Sequence, residues 1–317
     1  MVGSSRSEQT HRHAAYGLLV RTELALPELG CEAGADAEHL ARTRLLRSTP
    51  EKLADAFSGD GTQRASLSSA EGPVAVTDGR HGDLLLSSDA LGEAVVAADG
   101  SAVLCAPRDE GSPLWRRFLL DTVLGTAAIR AGLTGLHAAA VSTPHGAVAI
   151  AAPSGGGKTT LAAELIGRGA ELVTDDLLFL VPSLDAVLAY PGPPVMSLDR
   201  EQQALAGDGE IVGELTDGLW VKMGRAVRGP VPLALIVWLE RGASHPEVRH
   251  EPAGPDVLLG CALDAGPSED RQARRLEVLS QVAAQVPVAR LSGPAGCSPA
   301  EYASAIGSLL EATTSGS

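Results

Sequence analysis

Residues 146–176 read GAVAIAAPSGGGKTTLAAELIGRGAELVTDD. The apolar run Gly146–Ala152 predicts a strand that enters a loop of small residues. Thr159–Arg168 then has a helical pattern that ends at Gly169, and Leu172–Thr174 is again a short apolar strand. Strand, glycine-rich loop, helix and strand form the setting in which a phosphate-binding loop occurs, so this stretch predicts an α/β fold.

The loop from Ala152 to Thr159 follows the pattern G-x-x-x-x-G-K-[ST], except that Ala152 stands at the first glycine. Small residues in such a loop let successive backbone N–H groups turn toward phosphate oxygens, and the N-terminus of the following helix adds a favourable dipole. Lys158 then reaches the outer phosphates, and the Thr159 hydroxyl is placed to ligate the magnesium ion that bridges them. The loop predicts a nucleotide and magnesium site formed by Ser154, Gly155, Gly156, Gly157, Lys158, Thr159 and Thr160.

Two acidic residues, Asp175 and Asp176, follow the second strand directly. Parallel α/β sheets collect their ligands at the carboxyl ends of the strands, so we expect both acids beside the loop. One carboxylate could face the metal, and the other could accept the proton of an attacking hydroxyl. The alternatives are a helix cap or a metal-supporting aspartate without base chemistry.

The charge of the chain argues against nucleic acid as a partner. The 317 residues include 25 lysines and arginines against 39 aspartates and glutamates, which gives a formal net charge of −14. Such a surface repels a phosphate-covered polymer. Homo-oligomerisation stays open.

The cysteines and the apolar segments indicate in which cellular compartment the chain is expected. The N-terminal segment MVGSSRSEQTHRH holds no apolar stretch of the kind found in signal peptides, and no window reaches the length of a membrane helix. We therefore expect a cytoplasmic protein with no membrane partner. The cysteines form no C-x-x-C or Cys/His cluster, which argues against zinc and for reduced thiols. They are Cys31, Cys105, Cys261 and Cys297.

The pattern divides the chain into three parts. Residues 1–13 are polar and aperiodic, which predicts a disordered tail. Residues 14–112 predict a small β-rich domain, because short apolar runs alternate with glycine and aspartate turns. Residues 113–317 predict an α/β domain that holds the loop. The main element predictions are strands at Tyr16–Leu29, Val74–Thr77, Leu84–Ser87, Ala102–Cys105 and Val231–Glu240, and helices at Leu114–Ala131, from Ser268 to Gln285 and from Ser298 onward.

Three blocks carry a resemblance to a known family: Leu136-His137, APSGGGKT at 152–159, and RGAELVTDD at 168–176. The last is similar to R-G-x-x-L-V-A-D-D, and the spacing of the blocks fits without gaps. In these blocks the chain resembles the catalytic domain of the HPr kinase/phosphorylase family, in the phosphoenolpyruvate-carboxykinase-like branch of P-loop proteins. YGLLVRTELALPEL at 16–29 is similar to the opening of shorter relatives, some of which phosphorylate a serine of a lasso peptide.

The resemblance implies a fold and a set of roles. The fold is an α/β P-loop kinase domain of HPr-kinase-like type with a mostly buried mixed sheet, preceded by the small β-rich domain, which could recognise the acceptor. Lys158 would bind the β and γ phosphates of ATP, and Thr159 would hold magnesium. Asp175 would be the base, and Asp176 would support the metal shell. His137 would lie beside the same centre.

A basic cluster lies downstream of the acids, in WVKMGRAVRGP at 220–230. A cation near a transferring phosphoryl group stabilises the charge that spreads over its oxygens. Lys222 is therefore a candidate for nucleotide contact and Arg225 for catalysis, ahead of Arg228, and the alternative is a solvated strand edge or loop. The family's Glu-Arg-Gly-containing signature after the acid pair is not found near its expected place, where Tyr190–Leu198 stands instead.

These features favour an ATP- and magnesium-dependent kinase that acts on a hydroxyl. A serine or threonine of a peptide or protein, such as a ribosomal peptide natural product, is the first expectation for the acceptor. A kinase of a small hydroxylated metabolite would use the same nucleotide centre. The third alternative is a non-catalytic nucleotide switch or a simple ATPase. Against it, the chain lacks the N-K-x-D signature of GTPase switches and the L-S-G-G-Q signature of transporter ATPases, and it has two acids where one is enough to support a metal. The choice among ATP, GTP and pyrophosphate stays open.

Overall fold

The structure is a computed structural model in which the chain forms two compact units, Met1–Ala131 and Gly132–Ser317. No helix in the described parts of the chain has both the length and the apolar character needed to cross a membrane. The structure describes residues 10–30, 32–57, 63–69, 72–216, 218–243, 247–264, 266 and 268–315.

The first unit is built on a sheet of short strands. Its elements are β1 His11–Ala15, β2 Leu18–Thr22, β3 Ala41–Arg47, α1 Pro50–Ala56, β4 Gln63–Ser69, β5 Gly72–Asp78, β6 Leu84–Ser88, β7 Gly92–Val96, β8 Ala102–Pro107, α2 Pro113–Phe118 and α3 Leu124–Arg130. The strand order is β1-β2-β3-β8-β7-β6-β5-β4. The pairs β2–β3 and β3–β8 are parallel, and the remaining pairs are antiparallel.

The N-terminal tail is shorter than the sequence predicts. Residues 1–9 of the predicted tail lie outside the described residues, but His11–Ala15 is strand β1, which pairs antiparallel with β2. Tyr16 and Gly17, with φ of 57° and 79°, form the turn between them, which is the conformation of a tight hairpin. His13 and Ala15 are buried, whereas Ala14 between them is less so. The polar residues His11, Arg12 and His13 hid this strand in the sequence, because they interrupt any apolar alternation.

The helical segment after β8 belongs to the first unit. The sequence predicts a boundary between residues 112 and 113, whereas the compact units divide after Ala131. The reason is that this segment packs on the sheet: Arg116 Nη1 donates to the fully buried Glu28 at 2.6 Å, and Tyr16 Oη donates to Asp121 at 3.4 Å. The predicted helix is present but contains a π-helical turn, Leu119–Val123, between α2 and α3.

The second unit alternates strands and helices, as predicted for an α/β domain. Its elements are β9 Thr134–Thr143, β10 Gly146–Ala151, α4 Lys158–Gly167, β11 Glu171–Thr174, β12 Leu177–Pro182, β13 Val187–Tyr190, β14 Val195–Leu198, β15 Glu210–Leu215, β16 Gly218–Lys222, β17 Val231–Ala243, β18 Arg249–Pro252, α5 Asp256–Cys261, α6 Glu269–Gln285, β19 Val288–Pro294 and α7 Pro299–Ser315.

The main sheet of this unit is mixed, which confirms the expected mixed α/β architecture. β10 pairs parallel with β17, and β17 pairs parallel with β19. The pairs β9–β10, β9–β12, β12–β13 and β13–β17 are antiparallel and close a ring of pairings with β10–β17. A smaller sheet has the order β14-β16-β15.

Helices cover the main sheet on both faces, which explains why β10 reads as an unbroken apolar run. One core cluster joins Ile150 of β10 to Leu161 of α4 and Ile306 of α7. The other joins Ala149 of β10 to Leu258 of α5 and Val282 of α6. Because side chains alternate along a strand, consecutive residues of β10 reach opposite helical layers.

The acid pair reaches the loop by a route that differs from the expected one. β11 pairs antiparallel with β9 and not with β10. Because β9 is also antiparallel to β10, β11 runs in the same direction as β10 with one strand between them. The carboxyl ends of β10 and β11 therefore meet at one edge of the sheet. Strand order depends on long-range pairing, and the local pattern carries no signal for it.

Candidate functional site

The loop between β10 and α4 is an open turn of small residues. Gly155 and Gly157 have φ of 71° and 90°, where residues with a Cβ are strained. The Gly156 N–H donates to the Pro153 carbonyl at 2.9 Å and closes the turn, while Ser154 is exposed. Gly157 caps α4 without a side-chain hydrogen bond, so no side chain of the cap covers the first N–H groups of the helix. An anion could bind there.

Ala152, at the position of the first glycine in the pattern, fits because residue 156 is also small. A Cβ at position 156 would lie 2.7 Å from Cβ of Ala152 and 2.8 Å from the Pro153 carbonyl oxygen. Ala152 is itself buried, with 3% of its surface exposed. The departure from the pattern is therefore accommodated within the loop, where the methyl group packs against a residue that has none.

Lys158 is the first residue of α4 and lies in a chain of polar contacts with two predicted residues. Its Nζ donates to Nε2 of His137 at 3.0 Å. An accepting Nε2 places the imidazole proton on Nδ1, which lies 3.8 Å from Oδ1 of Asp176. Lys158 is buried, whereas the side chains of His137 and Asp176 are 40% and 42% exposed. The contacts thus run from the buried Lys158 through His137 to the partly exposed carboxylate of Asp176.

Thr159 and Asp175 form a second contact beside the first. The Thr159 hydroxyl donates to Oδ1 of Asp175 at 2.9 Å. The backbone N–H of Ser197, on β14, donates to Oδ2 of the same carboxylate at 3.1 Å. Both oxygens of Asp175 are thus engaged, and such contacts stabilise the ionised carboxylate.

Asp176 is held in place by its backbone. Its φ is 71°, an uncommon value that aspartate tolerates better than most residues. The Asp176 carbonyl accepts from the Ala138 N–H at 3.0 Å, and the next residue, Leu177, pairs with His137 across the β9–β12 ladder. The left-handed turn therefore sets the carboxylate beside the imidazole ring.

Thr160 extends the polar contacts away from the acids. Its hydroxyl accepts from Nε2 of Gln202 at 3.0 Å, and Gln202 lies in the 3-10 turn Arg200–Ala206 that follows β14. Neither Gln202 nor Ser197 was singled out by the sequence, because both come from a segment with no motif. Their place at the site depends on how β14 pairs in the sheet, which is visible only in the folded chain.

The downstream basic cluster is divided by the structure. Lys222 ends β16 opposite Val195, in the same small sheet as Ser197. Arg225 lies elsewhere, because its carbonyl accepts from the N–H of Leu172 at 3.0 Å. Leu172 precedes Asp175 by three residues, or about 10 Å of strand. Arg225 and Arg228 are exposed, and no contact joins the side chain of either to the acids or the loop within the described part of the chain.

A cation that the sequence did not nominate lies at the loop instead. A Cβ at position 157 would lie 2.7 Å from Cζ of Arg241, so this guanidinium packs against Gly157. Arg241 also interacts electrostatically with Cys297 and Tyr302. Burial is the main cause that raises the pKa of the Cys297 thiol and of the Tyr302 hydroxyl.

The residues at the loop suit a magnesium ion that is shared with phosphate. Among the described residues, no three His, Cys, Asp or Glu side chains converge into a complete metal site. The loop region offers the Thr159 hydroxyl and the carboxylates of Asp175 and Asp176. Hard oxygen donors in this small number match the way proteins hold Mg²⁺, which keeps waters and takes the remaining ligands from a nucleotide.

Comparison with known proteins adds little to this geometry. No family model matches the chain, and no curated protein matches it. Among solved structures, the Hpr(Ser) kinase/phosphatase from Coxiella burnetii is similar with a TM-score of 0.32 and 16% identity over 57% of this chain and 95% of that chain. So low a TM-score carries no activity over, and the chemistry of the site rests on its own residues.

Proposed function

We propose that the second unit binds ATP with Mg²⁺ at the loop and transfers the terminal phosphoryl group to a hydroxyl. One observation carries this proposal: the first turn of α4 presents Lys158 and Thr159 directly to Asp175 and to the His137–Asp176 pair. A loop that only gripped phosphate would need the cation and the helix terminus. The added imidazole and second carboxylate are the groups that proton transfer needs.

The loop would hold the phosphates through its backbone and Lys158. The first N–H groups of α4, which the cap leaves uncovered by a side chain, favour an anion at this point. The Nζ of Lys158 is kept beside the loop by His137 and would exchange this hydrogen-bond partner for phosphate oxygens. Because Lys158 is already buried in position, little side-chain entropy would be lost on binding.

Thr159 and Asp175 would form the protein side of the magnesium site. A bound Mg²⁺ would supply positive charge that stabilises the phosphoryl group during transfer. The Thr159 hydroxyl is fixed by Asp175, and Asp175 is fixed by the Ser197 N–H. This arrangement orients the hydroxyl oxygen and fixes the position of the carboxylate.

The contacts favour Asp176 over Asp175 as the proton acceptor, the reverse of the roles that the resemblance implies. Asp175 has both oxygens occupied, while Asp176 is half exposed and has His137 at 3.8 Å. In the proposed step the acceptor oxygen forms a bond to the γ phosphorus, and the bond from this phosphorus to the leaving ADP breaks. The hydroxyl proton passes to Asp176. Nδ1–H of His137 would orient that carboxylate.

The exposure of the proton-accepting pair favours a large acceptor. The side chains of His137 and Asp176 are 40% and 42% exposed, so a hydroxyl on a peptide or protein surface could reach them. We therefore propose a serine or threonine of a peptide or protein, such as a ribosomal peptide natural product, as the acceptor class. A small hydroxylated metabolite is the alternative that the same experiment detects.

Mass spectrometry of candidate acceptors after incubation with ATP and Mg²⁺ tests the proposal. We expect one acceptor class to gain the mass of a phosphoryl group with the native protein and not with Lys158→Met. Lys52→Met is the matched control, because Lys52 is an exposed lysine of α1 in the other unit.

Transfer that survives Lys158→Met would contradict the assignment of the loop. Hydrolysis of ATP at the same rate with every acceptor, and no phosphorylated product, would instead support a simple ATPase. Chelation of the metal with EDTA should stop phosphoryl transfer or, for a simple ATPase, the hydrolysis of ATP.

A further inference from the structure

Arg241 lies beside the loop because β17 is longer than its neighbour. In the parallel pair of β10 and β17, Ala151 at the end of β10 is opposite Trp238. β17 continues to Ala243, five residues beyond Trp238 (243 − 238 = 5). The extension therefore runs alongside the loop that follows β10. Arg241 points to the same face as Leu239, which packs in the core cluster of α4 and α7.

The approach of Arg241 to the loop depends on a glycine. A Cβ at position 157 would lie 2.7 Å from Cζ and 3.1 Å from Nε of Arg241, so any other residue would displace the guanidinium. Gly157 also has φ of 90°, which disfavours a residue with a Cβ in its own right. The guanidinium thus packs on the backbone of the residue that precedes Lys158.

The charge of Arg241 has no carboxylate partner within ion-pair distance in the described part of the chain. Glu240, the adjacent acid, accepts from Nη1 of Arg290 at 3.1 Å and from Nε1 of Trp238 at 3.2 Å, on the other face of β17. Glu301 is held by the N–H and the hydroxyl of Ser298, both at 2.8 Å. Both acids of this region are therefore already committed to other donors.

We propose that Arg241 is a second phosphate-contacting cation of the site and binds the terminal phosphates of the nucleotide together with Lys158. This inference rests on the proposed function and adds a residue to it. Guanidinium groups match phosphate oxygens with parallel N–H donors, and an arginine without a counter-ion beside a phosphate loop has this anion as its natural partner. Arg241 is thus a further candidate for phosphate contact beside Lys222 and Arg225, which the sequence nominated.

Equilibrium titration of the full chain with Mg-ATP and Mg-ADP tests this role. The variants are Arg241→Gln and Arg241→Lys, and the matched control is Arg249→Gln, which removes the same charge from the exposed edge strand β18. We expect Arg241→Gln to weaken ATP binding by about tenfold to a hundredfold. The loss should be larger for ATP than for ADP, Arg241→Lys should recover part of it, and the control should bind as the native protein does.

The outcomes distinguish the role of Arg241 from the proposed nucleotide binding on which it rests. Suppose that the native protein binds ATP, that Lys158→Met does not, and that Arg241→Gln binds as tightly as the native protein. In that case Arg241 has no role in phosphate binding, but the proposed nucleotide site is supported. If the folded native protein binds no nucleotide, both fall together. If circular dichroism shows that Arg241→Gln does not fold, Arg241→Lys provides the test instead. Lysine lacks the planar guanidinium, so this variant should still lose several-fold in ATP affinity. Unchanged ATP affinity of Arg241→Lys would overturn the role of Arg241.

Discussion

Asp175 and Asp176 are neighbours in the chain, but their carboxylates face different surroundings. Asp175 accepts from the Thr159 hydroxyl and the Ser197 N–H, whereas Asp176 stands in a left-handed turn beside His137. A carboxylate held by two donors is suited to fix a metal shell. One that is open to an incoming hydroxyl is suited to accept its proton.

Substitution of the two aspartates by asparagine should separate these roles. We expect Asp176→Asn to retain Mg-ATP affinity and to lose transfer by about a hundredfold to ten-thousandfold, the range for loss of a general base. Asp175→Asn should instead weaken ATP binding in a way that depends on the magnesium concentration. Rates of transfer and titrations with Mg-ATP measure both effects.

The opposite pattern would return the base role to Asp175. It would consist of full transfer by Asp176→Asn together with normal nucleotide affinity but lost transfer in Asp175→Asn. The structure would then need Thr159 to release Asp175 when the nucleotide binds.

At the scale of elements, the loop between β10 and α4 is shaped by the pairing of small residues at positions 152 and 156. A Cβ at position 156 would press on Ala152 and on the Pro153 carbonyl oxygen, at 2.7 Å and 2.8 Å. The loop must then shift, although the flanking strand and helix keep the other contacts of the core cluster to which Ala152 also belongs.

Gly156→Ala should therefore lower ATP affinity more than it lowers the melting temperature. Ala152→Gly, which restores the glycine of the pattern, should leave affinity within about a factor of two, since the loop already accommodates the methyl group. The double variant should recover part of the loss, because one of the two close contacts disappears. Titration with Mg-ATP and thermal unfolding of the variants check this, and a double variant no better than Gly156→Ala would show that the Pro153 contact dominates.

The elements themselves were largely predictable, because their signals are local. β10, α4, β17 and α6 appear within a few residues of the predicted bounds, since apolar periodicity, glycine stops and a serine cap mark them. β1 escaped prediction because its first three residues, including the buried His13, are polar and show no apolar alternation. The π-helical turn at Leu119–Val123 escaped because it preserves the apolar pattern of an ordinary helix.

Only those residues of the candidate site that belong to a sequence motif could be predicted. Lys158, Thr159, His137 and the two aspartates come together as expected from their spacing. Arg241 was missed because its approach to Gly157 depends on the register between β10 and β17, which no local pattern carries. The same limit led the sequence to favour Arg225, whose backbone lies beside Leu172 instead.

At the scale of the whole molecule, the boundary between the units decides which segments fold together. The segment Pro113–Arg130 buries Trp115 and Phe118 and is tied to the first unit through Glu28 and Tyr16. The second unit has its own two core clusters, all of whose members follow Gly132. Each unit thus has the core that an independent domain needs.

A fragment of residues 132–317 should fold alone and keep its affinity for Mg-ATP. A fragment of residues 113–317 should be less soluble, because it exposes the apolar side chains of a helical segment whose partners have been removed. Circular dichroism, light scattering and titration of both fragments measure the difference. A better-folded fragment of 113–317 would instead support the boundary that the sequence suggests.

The central claim is that the loop and the polar residues around it bind a magnesium nucleotide. Calorimetric titration of the intact protein with Mg-ATP tests it most directly, with Lys158→Met and the exposed control Lys52→Met. We predict saturable binding by the native protein and by the control, and a loss of at least about tenfold in affinity for Lys158→Met. Absence of binding by the folded native protein, or equal affinity in all three, would contradict the account.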